Sequence, residues 1–211
     1  MYRMIAFDMD GTLADTLPLC MEAFVEGVSP YVGHRLEERE VTRLYGLNEV
    51  GMIKALVGAR WEPAWRDYQA QYIRLHSRVT EPFDGIRELL EWLKREGVIL
   101  ALITGKHEAT CAVSLNALGL NGVFEETLCG SEEEPNKAER MEYLLGKYGV
   151  PREAFCYVGD APGDIDACRR AGVACMSAAW QPNPGARALE AKNPGRVYGR
   201  AADLRRALEQ L

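Results

Sequence analysis

Met4-Ile5-Ala6-Phe7-Asp8-Met9-Asp10-Gly11-Thr12 is the stretch that decides the fold. Four apolar residues run without interruption, as in a strand buried on both faces of a parallel sheet. Two acids separated by one residue follow, and they leave such a strand on the same side. Gly11 then relaxes the backbone for a tight turn. In open α/β sheets this carboxyl edge is where ligands bind. EF-hand loops also begin D-x-D, but here a strand precedes and no matching glutamate follows, so that reading is excluded.

Outward from this stretch, short apolar runs alternate with amphipathic ones. Runs at 98–103, 155–158 and 173–176, with a weaker one at 126–129, read as further strands. Helical patterns at 85–95, 108–118, 137–148 and 162–171 lie between them, and Gly97, Gly119, Gly149 and Gly172 follow these as C-terminal caps. This is the pattern of a doubly wound parallel-sheet, Rossmann-like α/β core. From about 17 to 80 there are only helical patterns. The spacing Trp61, Trp65, Tyr68, Tyr72 puts four aromatic rings on one helix face, more as a module's own core than as a substrate wall. A structureless loop of that length is uncommon, so an inserted α-helical domain is expected. The expected division is 1–15 and 81–211 for the core and 16–80 for the cap. A loop at 181–196 and a last helix at 202–211 complete the chain.

Hydrophobic residues make up 47% of the 211 and charged residues 27%, the balance of a soluble globular protein. A net charge of −6 argues against a nucleic-acid partner. No apolar run approaches the roughly 20 residues that cross a bilayer, and acids interrupt the first residues where a signal peptide needs an apolar stretch. The expectation is therefore a cytoplasmic protein with no membrane partner, a monomer or weak homo-oligomer. The six cysteines contain no C-x-x-C pair, so no zinc or dithiol site is signalled, and buried, reduced thiols are expected.

The second acidic pair is Asp160 and Asp164, again between a strand and a helix. Each has an ordinary reading as a helix N-terminal acid. Asp160 with Asp8 and Asp10, however, brings three acids to one sheet edge, and three to four oxygen ligands plus water suit Mg²⁺. Thr104-Gly105 ends another strand at that edge. It reads as a helix cap, or as a hydroxyl and backbone amides for a phosphate oxygen. Lys137 would stand in a helix's first turn, against the dipole, a cost that a phosphate or the aspartates would offset.

Phe7-Asp8-Met9-Asp10-Gly11-Thr12-Leu13, Thr104-Gly105, Lys137 and Gly159-Asp160 with Asp164, in this order, resemble the haloacid dehalogenase superfamily of phosphatases. Nearly the whole chain takes part, and the helical insert is similar to the cap of the phosphoglycolate phosphatase-like subgroup. The resemblance implies a phosphatase acting on a small phosphorylated metabolite. Asp8 would be the nucleophile and Asp10 the general acid and base. Asp8, Asp10 through its backbone carbonyl, and Asp160 would hold Mg²⁺. Thr104, Gly105 and Lys137 would bind the phosphoryl group, and Asp164 would orient Lys137 or a metal-bound water. Pro135-Asn136-Lys137-Ala138 departs from the K-P-x-P common in that subgroup, which bears on the substrate more than on the chemistry. A phosphomutase or phosphotransferase of the β-phosphoglucomutase type shares the motifs, and a pyrophosphatase is a further alternative. A non-catalytic domain is disfavoured because nucleophile and acid both stand. Arg43, Tyr45, Asn48 and Lys54 are the polar cap residues nearest an expected substrate.

Overall fold

The computed structural model describes residues 2–180 and 185–211. Among them, six parallel strands form one sheet in the order β3-β2-β1-β4-β5-β6. They are β1 (Met4–Phe7), β2 (Ile99–Ile103), β3 (Glu126–Leu128), β4 (Phe155–Gly159), β5 (Ala174–Ala178) and β6 (Val197–Tyr198). β1 pairs with both β2 and β4, and all four of its residues are fully buried. Alternation across the strand sends Ile5 and Phe7 into one apolar cluster and Met4 and Ala6 into the other. The first cluster is closed by α5 (Ile86–Arg95), α6 (Glu108–Ala117) and α10 (Ala201–Glu209), the second by α7 (Lys137–Tyr148), α8 (Pro162–Ala171) and α9 (Ala186–Lys192). An uninterrupted apolar strand is thus what a two-sided core requires.

The chain winds outward from β1 to β2 and β3, then returns to start β4 on the other side of β1. That reversal opens a crevice between the carboxyl ends of β1 and β4. Phe7 lies opposite Val158 in the register, and Asp8 N–H donates to Val158 O at 2.9 Å. Asp8 and Asp160 are therefore delivered to the same point by neighbouring strands.

Four helices follow β1: α1 (Leu17–Val32), α2 (Glu38–Thr42), α3 (Glu49–Val57) and α4 (Trp61–His76). They have an apolar core of their own, with Phe24, Ile53, Tyr68, Tyr72 and Leu75 at its centre. Tyr68 and Tyr72 are fully buried there and their rings stack 6.0 Å apart, so the inner half of the aromatic stripe is core, while Trp61 and Trp65 stay partly exposed. α9 and β6 fall in the stretch expected as a loop at 181–196 and just beyond it. A two-residue, half-buried edge strand has no periodicity to read, and α9 is a helix of only two turns. Residues 181–184 of that loop lie outside the described residues.

α1 and α4 pack closely against one another, and Gly27 is the reason. A Cβ on Gly27 would sit 2.8 Å from the Tyr68 backbone N and Cα, which cannot swing aside as a side chain could. Gly27→Ala gains up to about 1 kcal/mol of helix propensity but overpacks at about 1–3 kcal/mol. The expected outcome is a net loss, read as a lower urea midpoint with unchanged slope; a higher midpoint would mean that the two helices can part freely.

Candidate active site

Lys137 stands at the first position of α7 and reaches back to the strand ends. Its Nζ donates to Asp8 Oδ2 at 2.7 Å and to Asp164 Oδ1 at 2.6 Å. Asp8 Oδ1 accepts from Met9 N at 2.8 Å, and Asp160 Oδ1 accepts from the Thr12 hydroxyl at 3.2 Å. Asp164 Oδ2 accepts from Ala161 N at 3.0 Å, so this acid closes the first turn of α8 and also anchors Lys137. A Cβ on Gly159 would collide with Asp164 Oδ2, which is why the strand ends on glycine there. Each of Asp8, Asp160 and Asp164 can place one carboxylate oxygen so that the three atoms lie within 4.8 Å of one another, and all three residues are buried.

Three carboxylates against one ammonium leave excess negative charge in a buried place. Burial pushes the Asp8 carboxyl up from the usual 3.8 to about 6, against the pull of Lys137. Burial, then Asp8 and Asp164, holds Asp160 well above its ordinary value. Burial also works against the Lys137 ammonium, but Asp164 and Asp8 outweigh it and hold that pKa well above the usual lysine range. The donor set is all oxygen, crowded and under-neutralised, so it fits a hard divalent cation such as Mg²⁺.

The sequence expectation gave Asp10 to the metal through its backbone carbonyl and kept Asp164 for Lys137 or a metal-bound water. Here the Asp10 side chain turns away from the cluster: its Oδ1 accepts from the Thr16 hydroxyl at 2.5 Å, beside the start of α1. Only its main chain stays with the strand end. Gly105 lines the cavity, whereas Thr104 is 1% exposed and its hydroxyl accepts from Lys106 N at 3.3 Å. The cavity measures about 590 Å³ and is lined on the sheet side by Asp8, Asp10, Lys106, Lys137 and Asp160, and on the helical side by Phe24, Tyr45, Leu47 and Met52.

Of the polar cap residues singled out, only Tyr45 lines this cavity. Arg43 is exposed elsewhere. Asn48 caps α3, accepting from Gly51 N, and its amide donates to Gly130 O at 3.3 Å. Lys54 pairs with Glu132 and lies over the Trp61 ring. Both dock the helices on the core instead of facing a substrate. Lys106 and Glu49 are among the residues of the cavity wall that had not been singled out. A lysine three residues past a strand end, at the edge already rich in acids, was a readable signal. Glu49 had none, because its place depends on how α3 packs on the core.

With this geometry in hand, comparison with known proteins settles the family. The model described as "Haloacid dehalogenase-like hydrolase" matches residues 5–178. The chain belongs to that family. It is 30% identical to a phosphoglycolate phosphatase of Pseudomonas syringae pv. tomato, over 98% of this chain and 78% of that one. It is also 30% identical to a protein assigned as the pyrophosphatase PpaX in Caldanaerobacter subterraneus subsp. tengcongensis, over 85% and 83%. In fold it is similar to CbbY from Rhodobacter sphaeroides in complex with phosphate, with a TM-score of 0.80 and 22% identity over 97% and 96% of the two chains. The chain is a phosphatase of the haloacid dehalogenase type, in the phosphoglycolate phosphatase-like branch.

A group whose carboxyl pKa is raised on folding stabilises the fold below its unfolded value and loses that contribution as pH rises through the folded one. For Asp8 that window runs from 3.8 to about 6. Carboxylates with lowered pKa values, Glu126 and Asp166 among them, work the other way, so the Tm of the metal-free protein should fall across this window relative to that of Asp160→Asn. If the cluster holds Mg²⁺, the ion should raise Tm more at about pH 7 than at about pH 5, since an ionised cluster would bind a divalent cation better. A metal-free Tm whose course across this window is unchanged by Asp160→Asn would contradict this account of the cluster.

Proposed function

We propose that the protein is a Mg²⁺-dependent phosphatase that hydrolyses a small phosphorylated metabolite, a phosphomonoester resembling phosphoglycolate, through an aspartyl-phosphate on Asp8. The observation that carries this is the division of labour between two acids two residues apart. Asp8 is pinned by Lys137 and Met9 N–H among carboxylates, while Asp10 is turned toward the helical module and lines the same cavity. A buried carboxylate held at both oxygens is oriented for attack on phosphorus. Asp10 stands where a leaving alcohol would depart, able to give it a proton and then to take one from the water that follows.

The Asp8 and Asp160 carboxylates and the Asp10 backbone carbonyl would hold the ion. Bound there, it would screen the nucleophile from the incoming dianion and stabilise the transferring group. Lys137 and the Gly105 backbone would bind phosphoryl oxygens, and Thr104 would shape that turn from beneath. Asp164 keeps Lys137 aimed at the site through its 2.6 Å bond. The cap, residues 16–80, would hinge near 15–18 and 81–85, where Pro18, Pro82 and Gly85 punctuate the two connections. The name of the Pseudomonas relative supports the substrate class.

Protein mixed with Mg²⁺ and a reactive substrate such as acetyl phosphate, then quenched in acid, should carry phosphate on the peptide containing Asp8. Asp8→Asn should lower turnover by a factor on the order of 10⁴ or more while the fold survives, since a nucleophile and an ion ligand are lost together. Adduct on another residue, or near-normal turnover by Asp8→Asn, would overturn the reading.

A further inference from the structure

Lys106 is 2% exposed and lies where the helical module meets the core. Its Nζ is 3.2 Å from Glu49 Oε1 and 3.5 Å from Asp10 Oδ1. It also donates to Cys20 Sγ at 3.4 Å and sits 4.3 Å above the Tyr72 ring. Three of these four partners belong to the helical module: Cys20 on α1, Glu49 on α3 and Tyr72 on α4. Only Asp10 belongs to the core. The surroundings of this buried cation are therefore complete only when the helices are docked.

Glu49 is the residue that crosses the seam. It is 5% exposed, and both its oxygens bond to core residues at the start of α6. Oε1 accepts from the Thr110 hydroxyl at 2.7 Å, and Oε2 accepts from His107 N. An anion at a helix N-terminus with free backbone donors is well placed electrostatically. Gly51, two residues on, lets α3 lie directly against the Glu132 backbone, where any Cβ would collide. Asn48 N adds a 2.7 Å bond to Ser131 O.

We propose that Glu49 is a positioning residue for Asp10, acting through Lys106: docking of the helical module brings in the carboxylate that holds Lys106 off Asp10. The inference rests on the reading of Asp10 as acid and base. The geometry supplies the reason. At 3.5 Å Lys106 and Asp10 form an ion pair without a close hydrogen bond, whereas Glu49 is nearer at 3.2 Å. A buried ammonium needs a compensating anion. Without the Glu49 charge, Lys106 would close onto Asp10 and draw its carboxylate away from the leaving group. With Glu49 in place, Asp10 keeps the orientation set by the 2.5 Å bond from Thr16. Proton delivery is thereby tied to a docked cap.

The test uses the Mg²⁺-loaded protein and kcat/KM, which reports steps up to loss of the leaving group. Two substrates are compared: an alkyl phosphate, whose departure needs a proton, and 2,4-dinitrophenyl phosphate, whose departure does not. Glu49→Gln, nearly the same shape, should lower kcat/KM for the alkyl phosphate by about tenfold or more and for the dinitrophenyl ester by less than about threefold, a fraction of the 10²–10⁴ typical of general acids. Adding Glu49→Gln to Lys106→Met should cost less than about twofold further, because the residue through which it acts is gone. Equal losses on both substrates, no loss on either, or full additivity with Lys106→Met would overturn the proposal. Asp10→Asn separates the two readings. If it is selective for the alkyl phosphate and Glu49→Gln is not, only the Glu49 proposal falls. If Asp10→Asn is itself unselective, the acid role of Asp10 falls and this proposal with it.

Discussion

Lys137 holds together what would otherwise fly apart. Its ammonium is 2.7 Å from Asp8 and 2.6 Å from Asp164, and Asp160 shares their pocket. Buried like charges at such separations repel by several kcal/mol at the effective dielectric of a protein. The sheet cannot remove that repulsion, because the register of β1 against β4 forces Asp8 and Asp160 to be neighbours. The first turn of α7 therefore carries a lysine despite the unfavourable helix dipole, and the first turn of α8 carries an aspartate that serves as both cap and anchor. Even so the balance is incomplete, and it is this remaining negative charge that a divalent cation suits.

A second cation solves a second problem by the same means. Lys106 lies where the helical module meets the core and is compensated by Asp10 and Glu49. Burial opposes its charge, but Asp10, Cys20, Tyr72 and Glu49 outweigh that and hold its pKa well above the lysine range. Lys137 orients Asp8 and the Thr16 hydroxyl orients Asp10, so the two acids face different ways although only Met9 separates them in sequence. One acid faces the carboxylate cluster and the other faces the helices.

Much of this was legible in the residues. β1 and β4 are apolar on both faces because helices cover both, and that requirement is written as uninterrupted runs ending in acids. Lys137 was legible because it violates a local preference, and such violations gather at functional sites. Glu49 was not, since it opens a helix as an ordinary N-terminal acid and only tertiary docking gives it partners. Asn48 and Lys54 misled for the same reason: polar residues near a cleft look like ligands for a substrate, but here they satisfy backbone and side-chain groups of the opposing loop. β6 was illegible because two residues carry no period.

The central claim is that Asp8 takes the phosphoryl group and water then removes it, two displacements on one phosphorus. The configuration at that phosphorus measures this most directly. With a phosphorothioate ester made chiral by oxygen isotopes and hydrolysed in isotopically labelled water, two in-line displacements predict overall retention. Inversion would mean that water attacks the substrate directly, and Asp8 would be left with no role beyond holding the cation and Lys137.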